Sequence, residues 1–214
     1  MMMSTTVNTI ILGSGGHARV LMDIVKSSTT WAILGYTDVA LGELGDVPYL
    51  GNDFVLETYL DKGILLINGI GSIESPRKRR EIYKRLSQAG YRFANITQTN
   101  AAVSKRTSIR EGVQIIGASV IQTGTEIGEN CIINTSAIID HDCTIGAHTH
   151  IAPGVVLSGG VRIGEECHIG TGSVVIQGIT IGDGALIGAG SLVISDIPSG
   201  VKAYGSPAKI IGPV

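Results

Sequence analysis

Residues 133–164, INTSAIIDHDCTIGAHTHIAPGVVLSGGVRIG, place an aliphatic side chain at every sixth position: Ile133, Ile139, Ile145, Ile151, Leu157 and Ile163. The beat runs outward in both directions without a miss. Upstream it takes in Val103, Ile109, Ile115, Ile121 and Ile127, and downstream Ile169, Val175, Ile181, Ile187 and Val193. The residue four places beyond each aliphatic is nearly always small or β-branched, as at Thr125, Cys131, Ala137, Cys143, Thr149, Cys167 and Ser173. This is the hexapeptide repeat of a parallel β-helix. A longer period is set by Ile127-Gly128, Ile145-Gly146, Ile163-Gly164 and Ile181-Gly182, which recur every eighteen residues. Three hexapeptides per turn define a triangular prism with one short strand on each face, the aliphatic and small residues pointing inward and the corners outward. Coils stack at about 4.8 Å, so residues eighteen apart lie one above another.

The whole chain is 214 residues with a net charge of −2, which gives no reason to expect a nucleic-acid or membrane-surface partner. The opening MMMSTTVNTI has no basic segment followed by an apolar stretch, and no apolar run reaches spanning length. A soluble, cytoplasmic protein is expected. Cys131, Cys143 and Cys167 all occupy the small inward position of a hexapeptide, so they read as buried small hydrophobes rather than as a disulfide or a metal site.

All aromatics except Tyr204 precede residue 95, and between Thr97 and Asp196 the basic side chains are confined to Lys105, Arg106, Arg110 and Arg162. This break sets an expected boundary between an N-terminal domain, 1–97, and a solenoid, 98–214. In the first part Asn8–Leu12, Trp31–Tyr36 and Ile64–Ile67 read as strands, and Ala18–Lys26 and Pro76–Ala89 as helices, with Tyr91–Ile96 closing the unit. A short parallel sheet flanked by helices, a Rossmann-like half-domain, is the expected result.

Gly13-Ser14-Gly15-Gly16-His17-Ala18 follows the first strand and fits a G-x-G-x-x-G/A loop, and Asp38 stands at the second strand end. Glycines let the backbone approach a phosphate at a helix N-terminus, a logic that serves any nucleotide; a glycine turn without a ligand is the plain alternative. The charges of the second helix (Arg77, Lys78, Arg79, Arg80, Lys84, Arg85) read mostly as a solvated face. Arg77, nearest Gly71-Ser72 at the third strand end, is the one placed to reach a ligand phosphate.

His141 follows Ile139 by two residues, which puts it at an outward corner between Asp140 and Asp142. A carboxylate beside an imidazole holds one tautomer and stabilises the imidazolium, as a general base requires. Gly159, one coil above, leaves room and a backbone N–H over the ring, suited to a thioester carbonyl and its oxyanion. A solvated corner histidine is the competing reading. His150 and His168 should stack on one outward face with His148 close by; imidazoles suit zinc, but the spacing does not match the ligand pattern of the gamma-class carbonic anhydrases, and no metal is expected. For His168 an ordinary surface position is expected.

Taken together, the GSGGHARV opening, the half-Rossmann unit, the IIDHDC core segment and the AYGSPAK tail resemble the bacterial nucleotide-linked amino-sugar N-acetyltransferases. These are trimeric, left-handed β-helix enzymes related to the sialic acid O-acetyltransferases, and they use acetyl-CoA. The resemblance implies His141 as catalytic base assisted by Asp142, and acetyl-CoA contacts at His150, Gly159, Thr171 and Ala189. It implies a sugar-nucleotide site at Gly15, Gly16, His17, Asp38, Gly71 and Ser72, with Arg77 as a further candidate. It also implies a homotrimer with sites between subunits, a UDP- or GDP-linked amino sugar as substrate, and a place in surface polysaccharide biosynthesis. The expected reaction is direct transfer of acetyl to the amine of a nucleotide-linked 4-amino-4,6-dideoxy sugar. O-acetylation of a sugar such as a sialic acid, a metal-dependent hydratase and a non-catalytic trimerisation scaffold are the other readings.

Overall fold

The structure, a computed structural model, describes residues 6–72 and 75–214. It divides into two compact units, one formed by Met1–Gly71 and Glu81–Ile96 and the other by Ser72–Arg80 and Thr97–Val214.

In the first unit, β1 (Val7–Leu12), β2 (Trp31–Thr37), β3 (Tyr49–Gly51) and β4 (Leu65–Asn68) form a parallel sheet in the order β3-β2-β1-β4. Helix α1 (Gly16–Lys26) buries Ala18, Leu21, Ile24 and Val25, the three-and-four spacing that makes one apolar stripe. Phe93 adds a parallel bridge to Leu66, and the core gathers Ile10, Leu12, Leu56, Leu66, Tyr83 and Phe93. Strand β3 and a 3-10 helix over Asp53–Lys62 have no counterpart in the sequence reading. Neither has a periodic apolar pattern; the helix start is fixed by Asn52, whose side chain accepts the Phe54 N–H at 3.1 Å.

Helix α2 (Arg77–Gln88) carries Arg77, Lys78, Lys84 and Arg85 exposed, the mostly solvated basic face expected, while Arg79 and Arg80 depart from it. Arg79 is 1% exposed, its Nε donating to the Asn130 carbonyl at 3.1 Å, and Arg80 pairs with Glu166. Arg85 pairs with Asp53. The partners of Arg79 and Arg80 lie far away in sequence, at Asn130 and Glu166.

The second unit holds sixteen two-residue strands, from Ala102–Val103 to Leu192–Val193, and each aliphatic of the sixfold beat is the second residue of its strand. Registers advance by one coil: Ile133 pairs with Ile151 and Ile151 with Ile169. Most of these side chains are buried in a single continuous core. At roughly 1.5–3 kcal/mol for each large aliphatic removed from water, this column is the principal stabiliser of the prism. Inward polar residues add a second device. Ser119, Thr125, Cys131, Cys143, Thr149, Cys167 and Ser173 each donate to a corner carbonyl fifteen residues on.

At the corners, every sixth residue from Gly112 to Gly190 has left-handed backbone. Ala118, Asn130, Ser136, Asp142, His148 and Glu166 adopt it despite their side chains, a conformation the stacked coils impose. A closing hairpin, Val201–Gly205 with Ala208–Pro213, caps one sheet through Leu186 and Lys202. Among the described residues no helix is long and apolar enough to cross a membrane.

The three faces of the prism differ. One carries Glu126, Thr144, Arg162 and Thr180 outward. A second carries Gln114, Ile132, His150, His168 and Leu186, largely buried. The third carries Val120, Ile138, Val156, Val174 and Leu192, an aliphatic column partly open to solvent.

Candidate active site

His141 stands on the edge between the aliphatic face and the polar one, its side chain about half exposed. The backbone there is held firmly. The Asp140 carbonyl accepts from the Thr125 hydroxyl at 3.0 Å, and the His141 carbonyl accepts from the Gly160 N–H at 2.9 Å. The His141 N–H donates to Asp140 Oδ1 at 2.8 Å. The left-handed turn at Asp142 brings its Oδ2 to 2.8 Å from His141 Nδ1. With Nδ1–H donating to this carboxylate, Nε2 keeps its lone pair. The Asp142 hydrogen bond, then the charge of Asp140, raises the imidazole pKa above its ordinary 6.5, against a smaller opposing effect of burial.

Gly159 lies over His141, as the eighteen-residue stacking requires, but the room it leaves is already taken. A Cβ at Gly159 would stand 2.6 Å from His141 Nε2, so the ring itself fills the space expected for a thioester. Among the described residues no acceptor is found for the Gly159 N–H. Below the pair, a Cβ at Gly124 would stand 2.2 Å from Asp142 Oδ1, so both members of the dyad pack on glycine.

Thr171 and Ala189 are exposed on the other edge of the aliphatic face, one coil apart. His150 lies on the buried face, 8% exposed, with both ring nitrogens engaged: Nδ1 donates to the Ser72 carbonyl at 3.0 Å, and Nε2 accepts from Asn134 Nδ2 at 3.1 Å. Asn134 is oriented in turn by the Thr135 N–H on its Oδ1 at 2.8 Å. His148 does not share that outward face. It sits buried at a corner, with Nδ1 3.1 Å from Asn130 Nδ2 and Nε2 3.6 Å from Glu129. Among the described residues no cluster of three or more metal-ligating side chains occurs. His168 is not an ordinary surface residue: it packs edge-on against His150, with ring centroids 5.0 Å apart. The three thiols are buried, and burial pushes Cys131 up to about 12 and Cys167 to about 11.

In the first unit the sugar-nucleotide candidates gather at the strand ends. Gly15 and Gly16 are exposed at the start of α1, and His17 lies 3.3 Å from where a Gly71 Cβ would be. Gly13, at φ +89°, allows the close approach of Ile70. The Asp38 carboxylate turns inward on the loop, with Oδ2 accepting from the Ser14 N–H at 2.9 Å and from its hydroxyl at 2.6 Å. Ser14 was legible only as the variable position between glycines. In the second unit, Arg77 lines an open recess of about 160 Å³ with Arg80, Glu166 and Gly184.

Comparison with known proteins identifies the family of this fold. The PglD N-terminal domain model matches residues 8–86, and the bacterial transferase hexapeptide model matches 124–159 and 160–195. The acetyltransferase domain of PglB from Neisseria gonorrhoeae in complex with acetyl coenzyme A is 31% identical, with TM-score 0.89, over 96% of this chain and 100% of that one. PerB from Caulobacter crescentus in complex with CoA and GDP-perosamine is 35% identical, with TM-score 0.89, over 96% of this chain and 97% of that one. No curated protein sequence matches significantly. The chain belongs to the hexapeptide-repeat acetyltransferases that carry a PglD-type N-terminal domain. The prism is accordingly the left-handed parallel β-helix of that family, an exception to the right-handed crossover rule.

Proposed function

We propose that the protein transfers acetyl from acetyl-CoA to the 4-amino group of a nucleotide-linked 4-amino-4,6-dideoxy sugar. The observation that carries this is the edge formed by Asp142, His141 and Gly159: an oriented imidazole with Nε2 available, beside a backbone N–H for which no acceptor is found among the described residues. His141 Nε2 removes a proton from the substrate amine as its nitrogen bonds to the thioester carbonyl carbon. The Gly159 N–H receives the developing oxyanion once the ring shifts to meet substrate. The carbon–sulfur bond then breaks, and CoA leaves as thiolate, protonated by the imidazolium. General-base assistance of this kind contributes about 10²–10⁴-fold. Buried thiols with raised pKa make poor nucleophiles, which favours direct transfer over an acyl-enzyme.

The same chain is read as a homotrimer with its active sites between subunits. The aliphatic column Val120–Ile138–Val156–Val174–Leu192 is bordered by the His141 edge on one side and the Thr171–Ala189 edge on the other. One prism cannot close these two edges on a single ligand, whereas a neighbour packed along the aliphatic face can supply the second edge. The amino-sugar nucleotide held by PerB supports the substrate class, and Gly15, Gly16, His17, Asp38, Gly71 and Ser72 are its proposed contacts here.

The deciding experiment follows CoA thiol release from acetyl-CoA with UDP- and GDP-linked 4-amino-6-deoxy sugars, in the wild type and in His141→Asn. Release that requires one of these sugars and falls at least a hundredfold in the variant is the expected result. Near-normal release in the variant overturns the mechanism. Release with free sialic acid in place of the nucleotide sugars moves the reading to O-acetylation.

A further inference from the structure

Two histidines of the buried face close on one residue. His150 and His168 are paired in register on adjacent coils. Their rings are perpendicular, one of the two arrangements aromatic pairs favour. Both rings also reach Ser72. His150 Nδ1 donates to its carbonyl at 3.0 Å, and His168 Nδ1 lies 3.5 Å from its hydroxyl, the outer limit of a direct hydrogen bond. Each ring turns to a different polar atom of the same residue. Ser72 is only 5% exposed, so its polar atoms depend on partners within the protein. The far side of His150 is fixed by Asn134, itself locked by Thr135, so the holder is braced from the solenoid outward. His168 has no part in the acetyl transfer as described, and His150 has no ring nitrogen left over for a cofactor while it holds Ser72.

We infer that His168, together with His150, is a positioning residue that holds Ser72 and thereby sets the affinity of the sugar-nucleotide loop. This rests on the proposed function for the identity of the ligand. The pair works by fixing the backbone that follows Gly71, so its removal should weaken nucleotide-sugar binding and leave the thioester site alone.

The test compares the full-length wild type with His168→Ala and His168→Asn, measuring KM separately for the amino-sugar nucleotide and for acetyl-CoA. Losing one hydrogen bond should raise the sugar-nucleotide KM about five- to tenfold. The acetyl-CoA KM and kcat should stay within about twofold, and asparagine, whose amide sits where Nδ1 does, should restore most of the loss. An unchanged sugar-nucleotide KM, or an equal rise in both KM values, overturns the inference. Should His168→Ala not fold, His168→Phe keeps the ring bulk against His150 without a bond to Ser72. Hydrogen exchange of the peptide containing Ser72 is read in parallel, with no substrate present. Faster exchange in the variants upholds the holder even if the wild type uses no amino-sugar nucleotide, which would instead sink the functional reading. Unchanged exchange overturns the holder itself.

Discussion

The imidazole of His141 rests directly on Gly159, with Nε2 2.6 Å from the position a Cβ would occupy there. Gly159 has no left-handed backbone, so alanine fits the main chain at this position, and the atoms nearest its methyl are those of the exposed ring. Gly159→Ala should therefore leave the thermal midpoint within a few degrees while displacing the base. A misplacement of about 1 Å costs on the order of a hundredfold in rate. Steady-state kinetics beside a melting curve checks this; full activity would mean that the ring occupies another position during turnover.

The acid limb of the pH profile should follow the same ring. A base accepts a proton only when neutral, and Asp142 followed by Asp140 raises its pKa, so kcat/KM should climb through a midpoint above 6.5. Asp142→Asn removes the largest cause, and the midpoint should move to lower pH while the maximum falls through loss of the tautomer lock. A midpoint unmoved in that variant assigns the limb to another group.

Cys131, Cys143 and Cys167 should be silent in the native protein. Burial holds all three thiols above their ordinary range, so the thiolate is scarce at pH 8. A disulfide reagent should label none of the three before guanidinium is added, and all three afterwards. Rapid native labelling that abolishes activity would reopen a covalent route.

A charge on the aliphatic face should separate the copies. Ile138 is 43% exposed and Val174 37%, and a carboxylate at either would be buried without a partner against a neighbouring prism. Ile138→Asp should sediment as a monomer with a folded far-ultraviolet spectrum, and its acetyl transfer should fall at least tenfold. An unaltered sedimentation coefficient would move the interface to a different face.

The prism was legible because its rule is simple: one inward aliphatic every six residues, and each of those residues fills its expected strand position. The vertical arithmetic also placed Gly159 over His141 and His150 beside His168. What the arithmetic could not give was occupancy. It left a vacancy above His141 that the ring fills, and it had no means of setting Arg79 against Asn130, fifty-one residues away. Nor could it foresee left-handed backbone at Ala118 or Glu166, since nothing in those side chains asks for it; the coils above and below impose it. The segment through Tyr49–Gly51 and Asp53–Lys62 escaped for the opposite reason, having no period at all.

The clasp from inward hydroxyls and thiols such as Thr125 and Thr149 to a carbonyl fifteen residues on, laid over the eighteen-residue registers, makes chain length here a matter of angle. Excising six residues between His141 and Thr171 would leave every inward position filled and yet turn all that follows by one third of a revolution, carrying Thr171 and Ala189 to a different edge. Excising eighteen would return every edge to its place one storey lower. Lineages of this architecture can lengthen or shorten freely only by whole storeys, and a gap of any other size between functional segments marks a change of which edges meet.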